Sequence, residues 1–435
     1  MISMSENLFR DYLYENHKDS LSSLIVGRKK SIEWDKKGFQ TIQFLLQQRA
    51  ENKINEILDG LESLILTAKE MRLERNAPHP TRIDLFGSSD RAGVTIIELK
   101  KSEQTERQSF TELLAYSNHF CSIFPGLNES AITSILIAPM KTRTAKDAYV
   151  QELVFNSKNI LALIPRQDGD RFTLEVFYPE SLCYSHFESN ILNDSSMMCV
   201  ALEFPLMEGW IDSDLKSEDG DPPQYSVDAL NSVANSIAQR LAVDGFHALI
   251  YASQKWGNIA SDFANPNVIV VAAINPFSAH RTEIHADTVC GDSSDARIEQ
   301  IQAIYDQFSK DSSNGYWVRE MESYFYGRLI RSVDSQFKLC MLNKNNENIW
   351  SEISCPDWHG LKNNFFDSVY VHNFNLYSTG LLREIYLEYM KHIFETGFDV
   401  FFYNDDVPMY SYQMLTPFFP AWEIFSGLGS RNRLG

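Results

Sequence analysis

Apolar residues recur at helical spacing from the start of the chain. Leu8, Tyr12, Tyr14, Leu21, Leu24 and Ile25 predict an N-terminal helix, and TIQFLLQQRAENKINEIL predicts a second from about Thr41 to Leu58, closed by Asp59-Gly60. SLILTAKEMRLE then reads as a strand, NAPHPT as a loop, and RIDLF with VTIIELK as a β-hairpin around Gly87 to Gly93. A helix from about Thr105 to Phe120 follows, and ITSILIAPM, NILALIPR and FTLEVFYPE supply three more strands. The pattern predicts a mixed-sheet α/β domain over 1–208, and an acidic linker or loop over 209–225 in WIDSDLKSEDGDPPQYS. A C-terminal α/β or α+β domain is predicted over 226–435. It holds a helix at 226–242, strands FHALIYAS and NVIVVAAI, a helix at 293–310 and the helix LLREIYLEYMKHIFE.

At 435 residues the chain is long enough for two domains, and its 44% hydrophobic and 22% charged composition is that of a folded protein. No apolar run approaches the ~18 residues of a membrane span, and Met1 to Arg10 does not look like a secretory signal, so a cytoplasmic protein is expected. The six scattered cysteines have no C-x-x-C pair and are expected to be reduced, mostly buried thiols. The net charge of −19 argues against non-specific coating of nucleic acid or membrane. It is uneven: residues 1–200 hold 23 basic and 27 acidic residues, residues 201–435 hold 16 and 31. Any polyanion contact therefore belongs to the first half; Arg28, Lys29, Lys30, Lys36 and Lys37 form either such a contact or a solvated loop.

The chemistry concentrates in the hairpin. With its centre near Arg91, Ile83 faces Leu99, Leu85 faces Ile97 and Asp84 faces Glu98, with Lys100 on the same side two residues on. One face is apolar, while the other sets two carboxylates about 5 Å apart at Cβ. Such a pair repels unless a positive charge lies between its members, and a divalent cation with oxygen ligands meets that need. A bound ion of that kind acidifies water and neutralises charge on phosphate, which points to phosphodiester hydrolysis.

These residues resemble the PD-(D/E)XK, restriction-endonuclease-like nuclease superfamily, and look most like NucS-like and Shedu-like nuclease domains. The resemblance covers about 45–125, and more loosely the N-terminal helix. It implies Asp84 and Glu98 as metal ligands with the main-chain carbonyl of Leu99, Lys100 as the catalytic lysine, and Mg²⁺ as cofactor with Mn²⁺ as substitute. Ile83 stands where the proline of the name would be. The family's acid on the preceding helix maps to Glu51, with Glu56 as the alternative. Its Q-x-x-x-Y maps to Glu112-Leu-Leu-Ala-Tyr116, with Glu in place of Gln and both residues on one helix face. The implied function is a DNA endonuclease, set in defence against invading DNA or in repair. The alternative is a catalytically inactive nuclease fold used for binding or assembly.

The acidic second half suits a protein partner, self-association or restraint of the first. His280, His285 and Asp287, the triplet Asp357-Trp358-His359, and Asp405-Asp406 match no zinc spacing and read as polar loops. His119 reads as a surface residue near a helix end, and Tyr316, Trp317, Tyr324, Phe325 and Tyr326 as core packing. No nucleotide-binding loop or serine-hydrolase motif occurs, so neither chemistry has support in the chain.

Overall fold

Three nearly continuous apolar runs, at 94–99, 132–137 and 160–163, lie at the centre of a seven-stranded mixed sheet, where both faces are covered and alternation is lost. The computed structural model describes residues 4–34, 42–73, 81–184 except 107, 157, 170 and 182, then 197–212, 223–255, 263–277, 284–285, 288–289, and 317–396 except 359. The chain divides into two units, Met1–Asp35 with Gln43–Ser185, and Lys36–Ile42 with His186–Gly435.

In the first unit the strands are β1 (Ile25–Val26), β2 (Ile65–Arg72), β3 (Arg82–Ser89), β4 (Gly93–Leu99), β5 (Ile132–Ile137), β6 (Ile160–Asp168) and β7 (Arg171–Val176). Their order across the sheet is β1-β7-β6-β5-β4-β3-β2. β4, β5 and β6 run parallel, β2 and β3 are antiparallel to their neighbours, and β7 is antiparallel to β6 but parallel to β1. The hairpin has the expected register, with Leu85 opposite Ile97, Phe86 opposite Ile96 and Ser89 opposite Gly93. The helices are α1 (Glu6–Asn16), α2 (Ile42–Leu61), α3 (Glu103–Glu106), α4 (Ser109–Ile123) and α5 (Arg143–Val150). Ser5 caps α1 by accepting the Leu8 N–H at 3.3 Å. The helix predicted for 105–120 is broken into α3 and α4. In α4 the buried positions Leu113, Tyr116, Ser117 and Phe120 form one stripe, and Phe120 stacks on Phe86 of β3 at 5.4 Å.

The second unit takes the α+β form. Its sheet is antiparallel throughout, ordered β13 (Glu352–Ser354), β8 (Met197–Phe204), β10 (Asn267–Ile274), β9 (Ala248–Gln254) and β14 (Leu376–Ser378). A short ribbon joins β11 (Ile284–His285) to β12 (Thr288–Val289). Helices α6 (Gln224–Val243), α7 (Trp317–Cys340), α8 (Leu361–Phe365) and α9 (Gly380–Thr396) complete it, and Leu230, Ile237, Leu329 and Phe337 pack on Leu202, Ile250 and Val271. β8 pairs with β10 along all eight of its residues, so the units part before β8 and not at 208. The helix predicted at 293–310, residues 213–222 of the acidic stretch, and Lys36, Lys37, His280, Asp287, Tyr316, His359 and Asp405-Asp406 lie outside the described residues. Tyr324 is exposed at 62%, whereas Phe325 and Tyr326 pack against the core. The five described cysteines are free thiols, but only Cys199 is buried; Cys121, Cys183 and Cys340 are half-buried and Cys355 is exposed, which corrects the expectation of mostly buried thiols. Among the described residues no helix is long and apolar enough to cross a membrane.

At Gly87 the β2 backbone leaves no room for a side chain, because a Cβ there would stand 2.7 Å from the Ile65 carbonyl oxygen. Gly87→Ala is expected to destabilise the first unit by about 1–3 kcal/mol, seen as a lower midpoint of its thermal transition.

Candidate active site

The alternation of β3 and β4 puts Asp84, Phe86, Ile96 and Glu98 on the face that α4 covers, and Ile83, Leu85, Ile97 and Leu99 on the other. The ladder stops at Leu85–Ile97. One step further the Asp84 carboxylate replaces a main-chain partner, its Oδ2 accepting the Leu99 N–H at 2.9 Å. Because α4 lies over this face, Glu98 is 97% buried, and so it is not on a solvent face.

Lys100 is held between two acids. Its Nζ lies 2.5 Å from Glu98 Oε1 and 2.6 Å from Glu112 Oε2. The Tyr116 hydroxyl donates to the Arg82 carbonyl at 2.8 Å, which commits its one proton and leaves the buried Glu98 Oε2 without a partner. Asp84, Glu98, Lys100, Glu112 and Tyr116 are thus gathered in one place. Burial, then the Asp84 charge, pushes the Glu98 carboxyl up to about 9. Asp84 is raised as well, chiefly by burial. Lys100 is raised by the Glu98 and Glu112 carboxylates, which outweigh the opposing effect of its burial, while burial and the same acids raise Tyr116.

The acid expected from α2 is not part of this group. Glu51 is buried, but it accepts from Gln47 at 3.0 Å and faces the Lys29 ammonium at 3.7 Å; Lys29 in turn lies over the Tyr178 ring just past β7. β7 is three strands from β4, about 14 Å at the usual strand spacing. Glu56 is exposed on an open cavity of about 520 Å³ lined by Arg28, Lys29 and Lys30. That basic run is largely neutralised, since Arg28 pairs with Asp59 at 2.7 Å and Lys29 with Glu51.

α1 supplies charged groups that the motif does not include. Glu6 accepts the Lys101 N–H at 3.1 Å and raises Asp84 electrostatically. Arg10, 8% exposed at its side chain, places Nη1 2.9 Å from Glu70 Oε1 and 3.8 Å from Asp84 Oδ1. Glu70 belongs to β2, where Lys69 pairs with Leu85 and Met71 with Ile83, so the register sets it across from Asp84. Its φ of +48° is a conformation that non-glycine residues seldom adopt. Strand alternation in SLILTAKEMRLE does not fix this position, because the pairing with β3 shifts register between Leu66 and Ala68, and the arrival of Arg10 and Glu6 has no local signal. Beside Lys100 a small cavity of about 50 Å³ is lined by Glu6, Phe9, Lys101, Lys141 and Arg166.

The residues fit a hard divalent ion. Buried Glu98 and half-buried Asp84 face each other, Glu98 has an oxygen with no partner, and Asp84, Glu98, Glu112, Glu70 and Glu6 outnumber Lys100, Arg10 and Arg82 around them. Among the described residues no group of three or more His, Cys, Asp or Glu forms a metal cluster, so the protein side chains would be Asp84 and Glu98 alone. Two carboxylates are enough for Mg²⁺, which keeps waters and substrate oxygens as its remaining ligands.

No family model matches the chain, and no curated protein matches it. Among solved structures it is similar to the crystal structure of a repair endonuclease from Pyrococcus abyssi, at 19% identity and a TM-score of 0.16. The matched part covers 24% of this chain and 42% of that one, less than half of its length. A likeness of this size bears on neither fold nor activity.

The raised Glu98 carboxyl sets a pH dependence for the metal-free protein. Its folded form takes up a proton at a higher pH than its unfolded form, whose value is near 4.5, so stability falls as pH rises between about 4.5 and 9. Lys100, raised above 10.5, adds a constant term in that window. In EDTA the melting midpoint is expected to fall from pH 5 to pH 9 by the equivalent of about 1–3 kcal/mol, and Glu98→Gln to flatten the curve.

Proposed function

We propose that the chain is a metal-dependent nuclease of the PD-(D/E)XK type, hydrolysing phosphodiester bonds of DNA with Mg²⁺. The observation that carries this reading is the pairing of half-buried Asp84 with buried Glu98, whose Oε2 is unpartnered and whose Oε1 holds Lys100. Asp84, Glu98 and the Leu99 carbonyl would hold the ion. When bound, it supplies acidification of a coordinated water and neutralisation of charge on the phosphate.

The remaining work belongs to side chains. Lys100 donates to Glu98 and is ion-paired with Glu112, which would position its ammonium to hold the attacking water or a phosphate oxygen. Glu112 fixes the lysine from α4, so Glu in place of Gln anchors the ammonium by charge. Tyr116 ties α4 to the start of β3 through the Arg82 carbonyl, keeping the Glu98 face closed to bulk water. Lys101, Lys141 and Arg166 beside Lys100 favour a polyanionic substrate, although Lys141 also pairs with Glu103 and Arg166 with Glu175. A role in defence against foreign DNA follows from the Shedu-like resemblance, and a protein partner or self-association from the acidity of the second half.

The test is plasmid incubated with Mg²⁺ or Mn²⁺. Wild type is expected to cleave only with the ion, Asp84→Ala and Lys100→Ala to lose at least about 100-fold in rate, and Lys100→Ala to retain divalent-ion binding while Asp84→Ala does not. Folded wild type that leaves DNA intact with either ion supports the binding or assembly alternative.

A further inference from the structure

Glu70, Asp84 and Glu98 form a row across three adjacent strands, β2, β3 and β4, by the registers on either side of each. A row of three carboxylates has two gaps, and in each a cation can offset the repulsion. Hydrolases that use two metal ions share one carboxylate between ions about 3.5–4 Å apart, and Asp84 stands in the middle as that shared group would.

The second gap already holds a charge. Arg10 Nη1 reaches Glu70 Oε1 at 2.9 Å and Asp84 Oδ1 at 3.8 Å. The guanidinium is fixed from its own helix by Asn7 Oδ1 at 3.3 Å and Asp11 Oδ1 at 3.4 Å, is almost fully buried, and has an Nε with no partner. Asp84 Oδ2, meanwhile, is tied to the Leu99 N–H. A permanently charged, planar group is thus locked where a second ion would compete for Asp84 and Glu70.

We propose that the site takes a single divalent ion, between Asp84 and Glu98, and that Arg10 is a positioning residue whose guanidinium fills the second cation position. This rests on the metal-dependent reading above. The left-handed backbone of Glu70 is in keeping with it, since it belongs to the residue that grips the guanidinium.

Mn²⁺ alone, titrated into the full chain without nucleic acid and counted as free ion by electron paramagnetic resonance, tests the proposal. Wild type is expected to bind one Mn²⁺ per chain and Glu98→Gln to lose it. Arg10→Gln is expected to bind two, Arg10→Lys one, and the double variant Arg10→Gln/Glu70→Gln one. Two ions in wild type, or one in folded Arg10→Gln, overturns the inference and leaves the nuclease reading standing. No ion in wild type overturns both. If Arg10→Gln does not fold, Glu70→Gln decides: loss of one negative charge is expected to weaken the single Mn²⁺ at least threefold, and unchanged affinity overturns the assignment.

Discussion

The first unit is organised around an electrostatic conflict, two carboxylates brought together on neighbouring strands and then covered by a helix. Asp84 and Glu98 are set side by side by the hairpin register, and α4 removes the water that would otherwise screen them. Burial of this kind is costly unless compensated, and the surrounding charges are arranged as compensation. Lys100 neutralises Glu98, Arg10 faces Asp84, and Glu112 and Glu70 hold those two cations in turn. The carboxylates still outnumber the cations around them.

The same covering helix supplies the packing that makes the arrangement rigid. Phe120 stacks on Phe86, and one turn earlier Tyr116 bonds the Arg82 carbonyl. These contacts lie on the Asp84–Glu98 face of the sheet, so apolar packing and polar chemistry occupy successive turns of one helix stripe. Glu112 comes one turn before Tyr116 and reaches Lys100. A helix packed by its apolar stripe leaves little freedom in where its polar residues end up. That is how Glu112 keeps its contact with the lysine.

Local geometry made part of this legible in the sequence. The hairpin register follows from a tight turn and period-two alternation, and the pairing of Leu85 with Ile97 confirms it. α4 was visible from its spacing, as were α6, β9, β10 and α9 in the second unit. Chain order also found α2 but not its rotation or its neighbours, and so Glu51, on a helix in the expected place, faces Lys29 and Gln47. β8 is bounded in sequence by Asn193-Asp194-Ser195-Ser196 and Pro205, but its own apolar run does not name its partner β10, which begins more than 60 residues later. Long-range contact was the missing information in each case.

That distinction bears on α1. α2, β2, β3, β4, α3, α4 and β5 follow one another along the chain, and α1 precedes them. Yet Arg10 crosses 74 residues of sequence to approach Asp84, and Glu6 crosses 95 to accept the Lys101 N–H. An element outside the motif therefore sets the charge around the motif's own first carboxylate. Since a guanidinium keeps its charge at any pH at which the fold survives, this contribution cannot be adjusted by protonation; it can be altered only by moving α1 relative to β2 and β3. The helix is tied there by Arg10 to Glu70, Lys69 to Asp11 and Glu15, and the Tyr14 hydroxyl to the Thr67 carbonyl. All of these reach β2, the strand that carries Glu70. The edge strand and the N-terminal helix act as one electrostatic clamp on Asp84, and the local D-x₁₃-E-x-K pattern places the two carboxylates and the lysine without specifying the charge around them.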